Sequence, residues 1–196
     1  CVGMAGGRIG TALVTRIGET VLEMEVHFDR EPPAPLPLTL VLALPRPKVL
    51  RRVLISAASM GVKSIVLLNA WRVEKSYWQS PVLAPEAIRE QLVLGLEQAR
   101  DTLLPEVLLR PRFKPFVEDE LPALVEGALA LVGHPGSAEP CPRQLGGPAC
   151  LAIGPEGGFI PYEIDKLCEA GFRPVHLGER ILRVEAAVPA LLGRLF

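Results

Sequence analysis

Aromatic residues make up only 5% of this 196-residue chain, and it holds just four cysteines and three histidines. Cys1, Cys141, Cys150 and Cys168 form no C-x-x-C pair and the histidines lie far apart. Neither a disulfide framework nor a metal site is signalled, and reduced, mostly buried thiols are expected. No apolar run approaches the roughly 20 residues that cross a bilayer, and no charged segment followed by an apolar stretch opens the chain. A soluble, cytoplasmic protein without membrane contact is the expectation. The G-x-x-x-x-G-K-[ST] pattern of a P-loop is missing, as is the G-x-S-x-G turn of a hydrolase nucleophile. The early Gly6-Gly7-Arg8-Ile9-Gly10 lacks the G-x-G-x-x-G spacing of a dinucleotide fold.

What is present is globular: 49% hydrophobic and 22% charged residues, with 18 Gly and 20 Pro but no collagen period. The net charge of −1 hides an asymmetry, because residues 1–115 hold 15 basic and 11 acidic side chains and residues 116–196 hold 6 and 11. Sixteen of the 21 basic residues are Arg, which suits phosphate contact, although genomic base composition produces the same bias.

Residues Thr20 to Phe28 have the near-alternation of a half-buried strand, and Arg30 to Pro37 form a proline-rich connector. A domain boundary is expected there, separating residues 1–37 from 38–196. Beyond it the pattern alternates between strands and helices. Thr39 to Leu44 and Ser64 to Leu68 are continuous apolar runs, the mark of strands covered on both faces. Between them Leu50, Val53, Leu54 and Ala57 share one face of a helix that Gly61 can end in a left-handed turn. A longer helix is predicted over Pro85 to Leu103. Short strands follow at 107–109, 129–132, 151–153 and 175–177, with helices near 115–122, 161–170 and 184–195. This alternation specifies an α/β domain with a mostly parallel sheet.

Ligands of such sheets bind beyond the carboxyl ends of the strands. Three predicted strand ends hold unusual residues: Gly133-His134-Pro135-Gly136, Gly154-Pro155-Glu156-Gly157-Gly158-Phe159, and Gly178-Glu179-Arg180-Ile181-Leu182-Arg183. Glycines there let the backbone approach a ligand and offer it N–H groups, or else simply make tight turns. The set is rich in backbone and poor in nucleophiles, which suits a cofactor held by main-chain hydrogen bonds better than covalent catalysis.

Leu151 to Phe159, followed by Leu177-Gly178-Glu179-Arg180-Ile181-Leu182-Arg183-Val184-Glu185, resembles the paired C-terminal signature of the ribosomal RNA small subunit methyltransferase E family. Looser similarity extends the resemblance over roughly residues 38–196. It implies a SPOUT-type fold with a C-terminal trefoil knot, and a PUA-like β-barrel ahead of it, of which residues 1–37 would be a remnant whose first strands precede Cys1. It also implies a homodimer and S-adenosyl-L-methionine-dependent methylation of N3 of a uridine in 16S rRNA, on free RNA or the small ribosomal subunit. Three departures stand out: Ser59-Met60-Gly61 replaces Glu-Leu-Gly, Asp101 stands where the family has Arg, and Glu185-Ala186-Ala187 replaces Glu-Thr-Ala.

Carried over in this way, the cofactor site comprises Gly133, Ile153, Gly154, Pro155, Glu156, Gly157, Gly158, Leu177, Gly178, Ile181 and Leu182. Glu156 either orients the cofactor or caps the helix near Pro161. Arg183 is the candidate for stabilising a deprotonated uridine, since methylation at N3 requires loss of the imide proton. Glu185 is the candidate proton acceptor, or else a salt-bridge partner of Arg183 or Arg180. RNA contact is expected from Arg8, Arg16, Arg46, Lys48, Arg51, Arg52, Arg72 and Lys75, and from Arg110, Arg112 and Lys114. Trp71, Tyr77 and Trp78 are candidates either for stacking on unpaired bases or for ordinary packing.

Overall fold

A computed structural model describes residues 2–196, so the expectation for the Cys1 thiol lies outside the described residues. Near the start, β1 (Val2–Gly3), β2 (Ile9–Ile17) and β3 (Leu22–Arg30) form an antiparallel sheet in that order. Its register sets Ala12 against Val26, Val14 against Met24 and Ile17 against Leu22, which gathers these apolar side chains on one face, with Leu13 opposite Glu25 on the other. Arg16 and Glu23 pair across the other face at 3.3 Å. Where a barrel was expected, the described residues show only these three strands.

The connector ends tied to the main body, because Leu36 N–H donates to Gly61 and Pro37 accepts from Ala149. From there β4 (Leu38–Ala43), α1 (Pro47–Ser59), β5 (Ser64–Leu68), α2 (Pro85–Ala99) and β6 (Glu106–Arg110) alternate as expected. Leu50, Val53, Leu54, Ala57 and Ala58 make the buried stripe of α1, and Gly61 follows it at φ +87°. The helix predicted to reach Leu103 stops at Ala99, since Arg100 is left-handed at φ 53° and Asp101 turns inward. There the Asp101 carboxylate meets Lys63 Nζ at 2.5 Å and accepts the Leu103 N–H at 2.9 Å. This buried pair withdraws Asp101 to Leu103 from the helix. A helix expected near 115–122 is instead an irregular series, α3 (Phe113–Pro115), a π-turn (Phe116–Glu120) and α4 (Leu121–Val125).

The remaining elements are β7 (Leu129–Gly133), β8 (Glu139–Pro140), β9 (Ala149–Ile153), α5 (Pro161–Glu169), β10 (Arg173–His176) and α6 (Val184–Leu195). The seven strands of the large sheet run β6-β5-β4-β9-β7-β10-β8, and every pairing is parallel. β9 enters late in the chain yet lies between β4 and β7, two strands laid down before it. All five of its residues are buried, so both faces of the sheet are covered there. α6 packs on α1, which packs on α2, to make one helical layer. Phe113 and Phe159 meet at 6.4 Å between ring centroids, joining the α3 segment to the start of α5.

Candidate functional site

β4 lies between β5 and the late-inserted β9, so the chain leaves it in one direction and fills the other side later. The carboxyl ends of strands around such a reversal form a natural crevice. Here a cavity of about 680 Å³ opens, within the roughly 300–1,000 Å³ typical of small-molecule sites. Nine of the eleven expected cofactor residues line it: Gly133, Ile153, Gly154, Pro155, Glu156, Gly157, Gly158, Ile181 and Leu182. Leu177 and Gly178 line a smaller space of about 60 Å³ that shares Gly133, Ile153 and Leu182 with the first. The three strand ends singled out in the sequence therefore meet at one place.

The turn after β9 is closed by backbone contact. A Cβ on Gly154 would sit 2.9 Å from Phe159 N and 3.1 Å from Gly158 C and Cα, so only glycine permits this approach. Gly158 itself is left-handed at φ +71°. Near β10, Gly178 (φ +128°) donates its N–H to His176 Nδ1 at 2.9 Å, so the His176 side chain sets that turn. Sequence reasoning gave His176 no role, although a histidine two residues before a glycine is the available signal.

Glu156 does not cap α5. Its Oε1 accepts the backbone N–H of Arg46 at 3.0 Å, which ties the glycine turn to the residue before α1. The α5 cap belongs to Glu163, whose Oε2 accepts the Ile160 N–H at 2.9 Å. The other oxygen of Glu163 accepts the Trp71 N–H at 2.7 Å. Arg72 follows, with Nη1 donating to the Gly157 carbonyl.

Arg183 and Glu185 also line the cavity, just ahead of and inside the first turn of α6. Among the described residues the ion-pair partner of Glu185 is Arg52 rather than Arg180 or Arg183: Arg52 Nη1 stands 3.8 Å from its Oε1, where α1 packs on α6. Arg183 is exposed and, among the described residues, makes no ion pair. Three guanidinium groups, Arg46, Arg72 and Arg183, thus surround a wall holding two carboxylates. The Arg46 guanidinium is held above its usual value, first by its hydrogen bond with Tyr77 and then by the charges of Tyr77 and Glu156. His134, Pro135, Phe159 and Val184, all within the segments singled out in the sequence, also line it, while Val49 and Ala187 complete the lining without a distinguishing sequence signal. No Ser, Thr, Cys, Lys or Tyr lines it among the described residues, so its wall holds no hydroxyl, thiol or amine nucleophile.

The expected RNA contacts divide. Arg46 and Arg72 reach the cavity. Lys48, Arg51, Arg52 and Lys75 are exposed outside it. Arg8 and Arg16, on the small sheet, are engaged with Glu31 at 2.6 Å and Glu23 at 3.3 Å. Arg110 and Lys114 pair with Glu120 and Glu118. Among the aromatics, Trp78 Nε1 donates to Asn69 and Tyr77 Oη donates to Glu74, while Trp71 is 80% exposed. Cys141 and Cys150 are buried free thiols and Cys168 is exposed.

A family model described as RNA methyltransferase domain matches residues 32–195. A protein of Treponema pallidum named ribosomal RNA small subunit methyltransferase E is 33% identical over 150 residues, covering 74% of this chain and 56% of that protein. The chain therefore spans little more than half the length of that relative. Among solved structures, the Neisseria gonorrhoeae ribosomal RNA small subunit methyltransferase E bound to S-adenosyl methionine superposes with a TM-score of 0.73 at 24% identity, over 95% of this chain and 77% of that one. A putative methyltransferase of Legionella pneumophila, in complex with the same cofactor, gives 0.69 at 25% identity, over 93% and 76%. The seven-stranded parallel sheet is shared with these methyltransferases, and the chain belongs to the RNA methyltransferase domain family.

Proposed function

We propose that this chain binds S-adenosyl-L-methionine in the cavity at the ends of β7, β9 and β10 and methylates N3 of a uridine in 16S rRNA. The observation that supports the reading most is the meeting of three glycine-bearing turns beside the exposed Arg183. The cavity fits the cofactor in size, in its apolar Ile153, Ile181 and Leu182 walls, and in its supply of main-chain donors and acceptors. When bound, S-adenosylmethionine supplies a methyl group on a positively charged sulfur.

The residues of the chain would then do three things. The turns at Gly133, Gly154 to Gly158 and Leu177 to Leu182 hold the cofactor through the backbone. Arg183 places positive charge where a uridine loses its N3 proton, and a charge fixed in advance lowers the barrier to that loss. Glu185, in the first turn of α6 and lining the cavity, would accept the proton, with Arg52 3.8 Å from its Oε1. Arg46 and Arg72 at the cavity and Lys48, Arg51 and Lys75 outside it would position RNA phosphates, while exposed Trp71 offers an unpaired base a stacking surface.

Two finer features belong to the same proposal. A knotted C-terminal path is supported by the late insertion of β9 and by segment 141–145 bonding across α6, where Leu145 N–H donates to Leu195 and Arg194 Nε to Cys141. A barrel-like RNA-binding module is supported by the apolar face of the β2–β3 pair, which includes Ile17 at 79% exposure. A homodimer follows from the family resemblance.

Calorimetric titration with S-adenosylmethionine tests the cofactor. Absence of binding by the folded protein would reject the enzyme. Labelled-cofactor assays on 16S rRNA, assembled small subunits and tRNA, mapped by primer extension, test the substrate, and methyl transfer to tRNA alone would reject the rRNA assignment.

A further inference from the structure

Glu163 is 3% exposed, yet no basic side chain bonds it among the described residues. Its charge is met by two backbone N–H groups and by the positive end of α5. Capping α5 requires only one of its oxygens, the one that accepts from Ile160. Ile160 has no side-chain acceptor to return the bond, so the reciprocal half of a capping box is missing. The other oxygen reaches a residue 92 positions away, Trp71, in the loop after β5.

Trp71 lies inside the turn closed by Val73 N–H on the Ala70 carbonyl, and it precedes Arg72. Arg72 lies flat on the glycine turn. Its Nη1 donates to the Gly157 carbonyl, and its Cδ would be 2.9 Å from a Cβ placed on Gly157. Two links therefore join the same two segments, one from Glu163 to Trp71 and one from Arg72 to Gly157. A single link would leave the loop free to pivot, whereas two fix it.

We propose that Glu163 is a positioning residue: its buried carboxylate fixes the backbone at Trp71 and so holds Arg72 on the Gly157 carbonyl as one wall of the cofactor cavity. It touches neither cofactor nor RNA and acts through Arg72. This inference rests on the cofactor reading of the cavity given above.

The test is a double-mutant cycle on S-adenosylmethionine affinity, read by calorimetry on the full chain. Glu163→Gln keeps the size of the side chain but turns an amide N–H₂ toward one of the two backbone donors, which breaks one link. Glu163→Asp keeps the charge but is one methylene too short to reach both, and guards against a folding defect peculiar to Gln. Each of these, and Arg72→Ala, is expected to weaken binding about tenfold. Combined with Arg72→Ala, neither change at Glu163 should weaken it further, since both act on the same contact. A purely structural carboxylate would instead give multiplied losses, and that result, or unchanged affinity in both Glu163 variants, overturns the proposal. If the wild-type chain is folded and binds no S-adenosylmethionine, the function itself fails and the positioning role with it. Wild-type binding with a multiplicative cycle rejects the role of Glu163 alone.

Discussion

Replacing Gly154 by alanine puts a methyl group where the structure has only backbone. The new Cβ would stand 2.9 Å from Phe159 N and 3.1 Å from Gly158 C and Cα. None of these atoms ends a flexible side chain, so relief requires opening the turn between β9 and α5. Overpacking of this kind costs about 1–3 kcal/mol. A chain of this size loses about 2–4 °C in Tm per kcal/mol, which gives a fall of about 2–12 °C. The neighbouring glycines provide internal controls with different causes. Gly158 is left-handed at φ +71° with nothing within 4 Å of its would-be Cβ, so Gly158→Ala costs about 1–2 kcal/mol of backbone strain without a clash. Gly157→Ala meets the Arg72 Cδ at 2.9 Å, which swings aside at little cost to stability. Thermal melts of the three variants should rank Gly154→Ala lowest in Tm, and calorimetric titration should show weakened cofactor affinity in Gly154→Ala and in Gly157→Ala, which displaces Arg72. A Gly154→Ala protein that melts within about 1 °C of wild type and binds S-adenosylmethionine equally would refute the view that this turn is closed by direct backbone contact.

Arg183→Ala should lower kcat by 10²-fold or more, on the order of one lost oxyanion-type donor, while cofactor affinity stays within about twofold; undiminished turnover rejects its electrostatic role. Lys63→Ala strands the Asp101 carboxylate, which is 3% exposed, and should cost about 3–5 kcal/mol in denaturant unfolding; a loss below about 1 kcal/mol would show that the Leu103 N–H alone satisfies it. Burial pushes the Cys150 thiol up to about 12 from its usual 9.0. Above the usual value the unfolded chain gives up this proton and the folded one keeps it, so stability is full below about pH 9 and falls by about 1.4 kcal/mol per unit up to about 12. Unfolding at pH 8 and 10.5 should show a shallower alkaline loss in Cys150→Ala than in wild type, and equal slopes would contradict it.

Much of the fold was legible because its causes are local. The apolar runs Thr39 to Leu44 and Ser64 to Leu68 became β4 and β5, and the stripe from Leu50 to Ala57 became the buried face of α1. Where the reading failed, a distant partner had intervened. The apolar period that carried the second helix on to Leu103 is correct as periodicity, but Lys63 draws Asp101 out of it. The order of the sheet was illegible for the same reason. Nothing in Ala149 to Ile153 says that it lies between β4 and β7, since every residue of a doubly covered strand is apolar and no face is distinguished.

The candidate site divides along a related line. Its glycine turns were visible because glycine is required at Gly154 by close approach and favoured at Gly158 and Gly178 by positive φ, and each requirement leaves a residue type in the sequence. The carboxylates were visible as residues but their partners were not. Glu156 bonds the N–H of Arg46, 110 positions away, and Glu163 that of Trp71, 92 away. A backbone N–H belongs to every residue except proline, so an acceptor gives no hint of which one it has chosen. The choice also has a consequence for charge. By taking main-chain donors, Glu156 and Glu163 secure the two loops that bear Arg46 and Arg72 without forming carboxylate bridges to those guanidiniums, and positive charge remains at the mouth of the cavity, where a polyanionic substrate would approach.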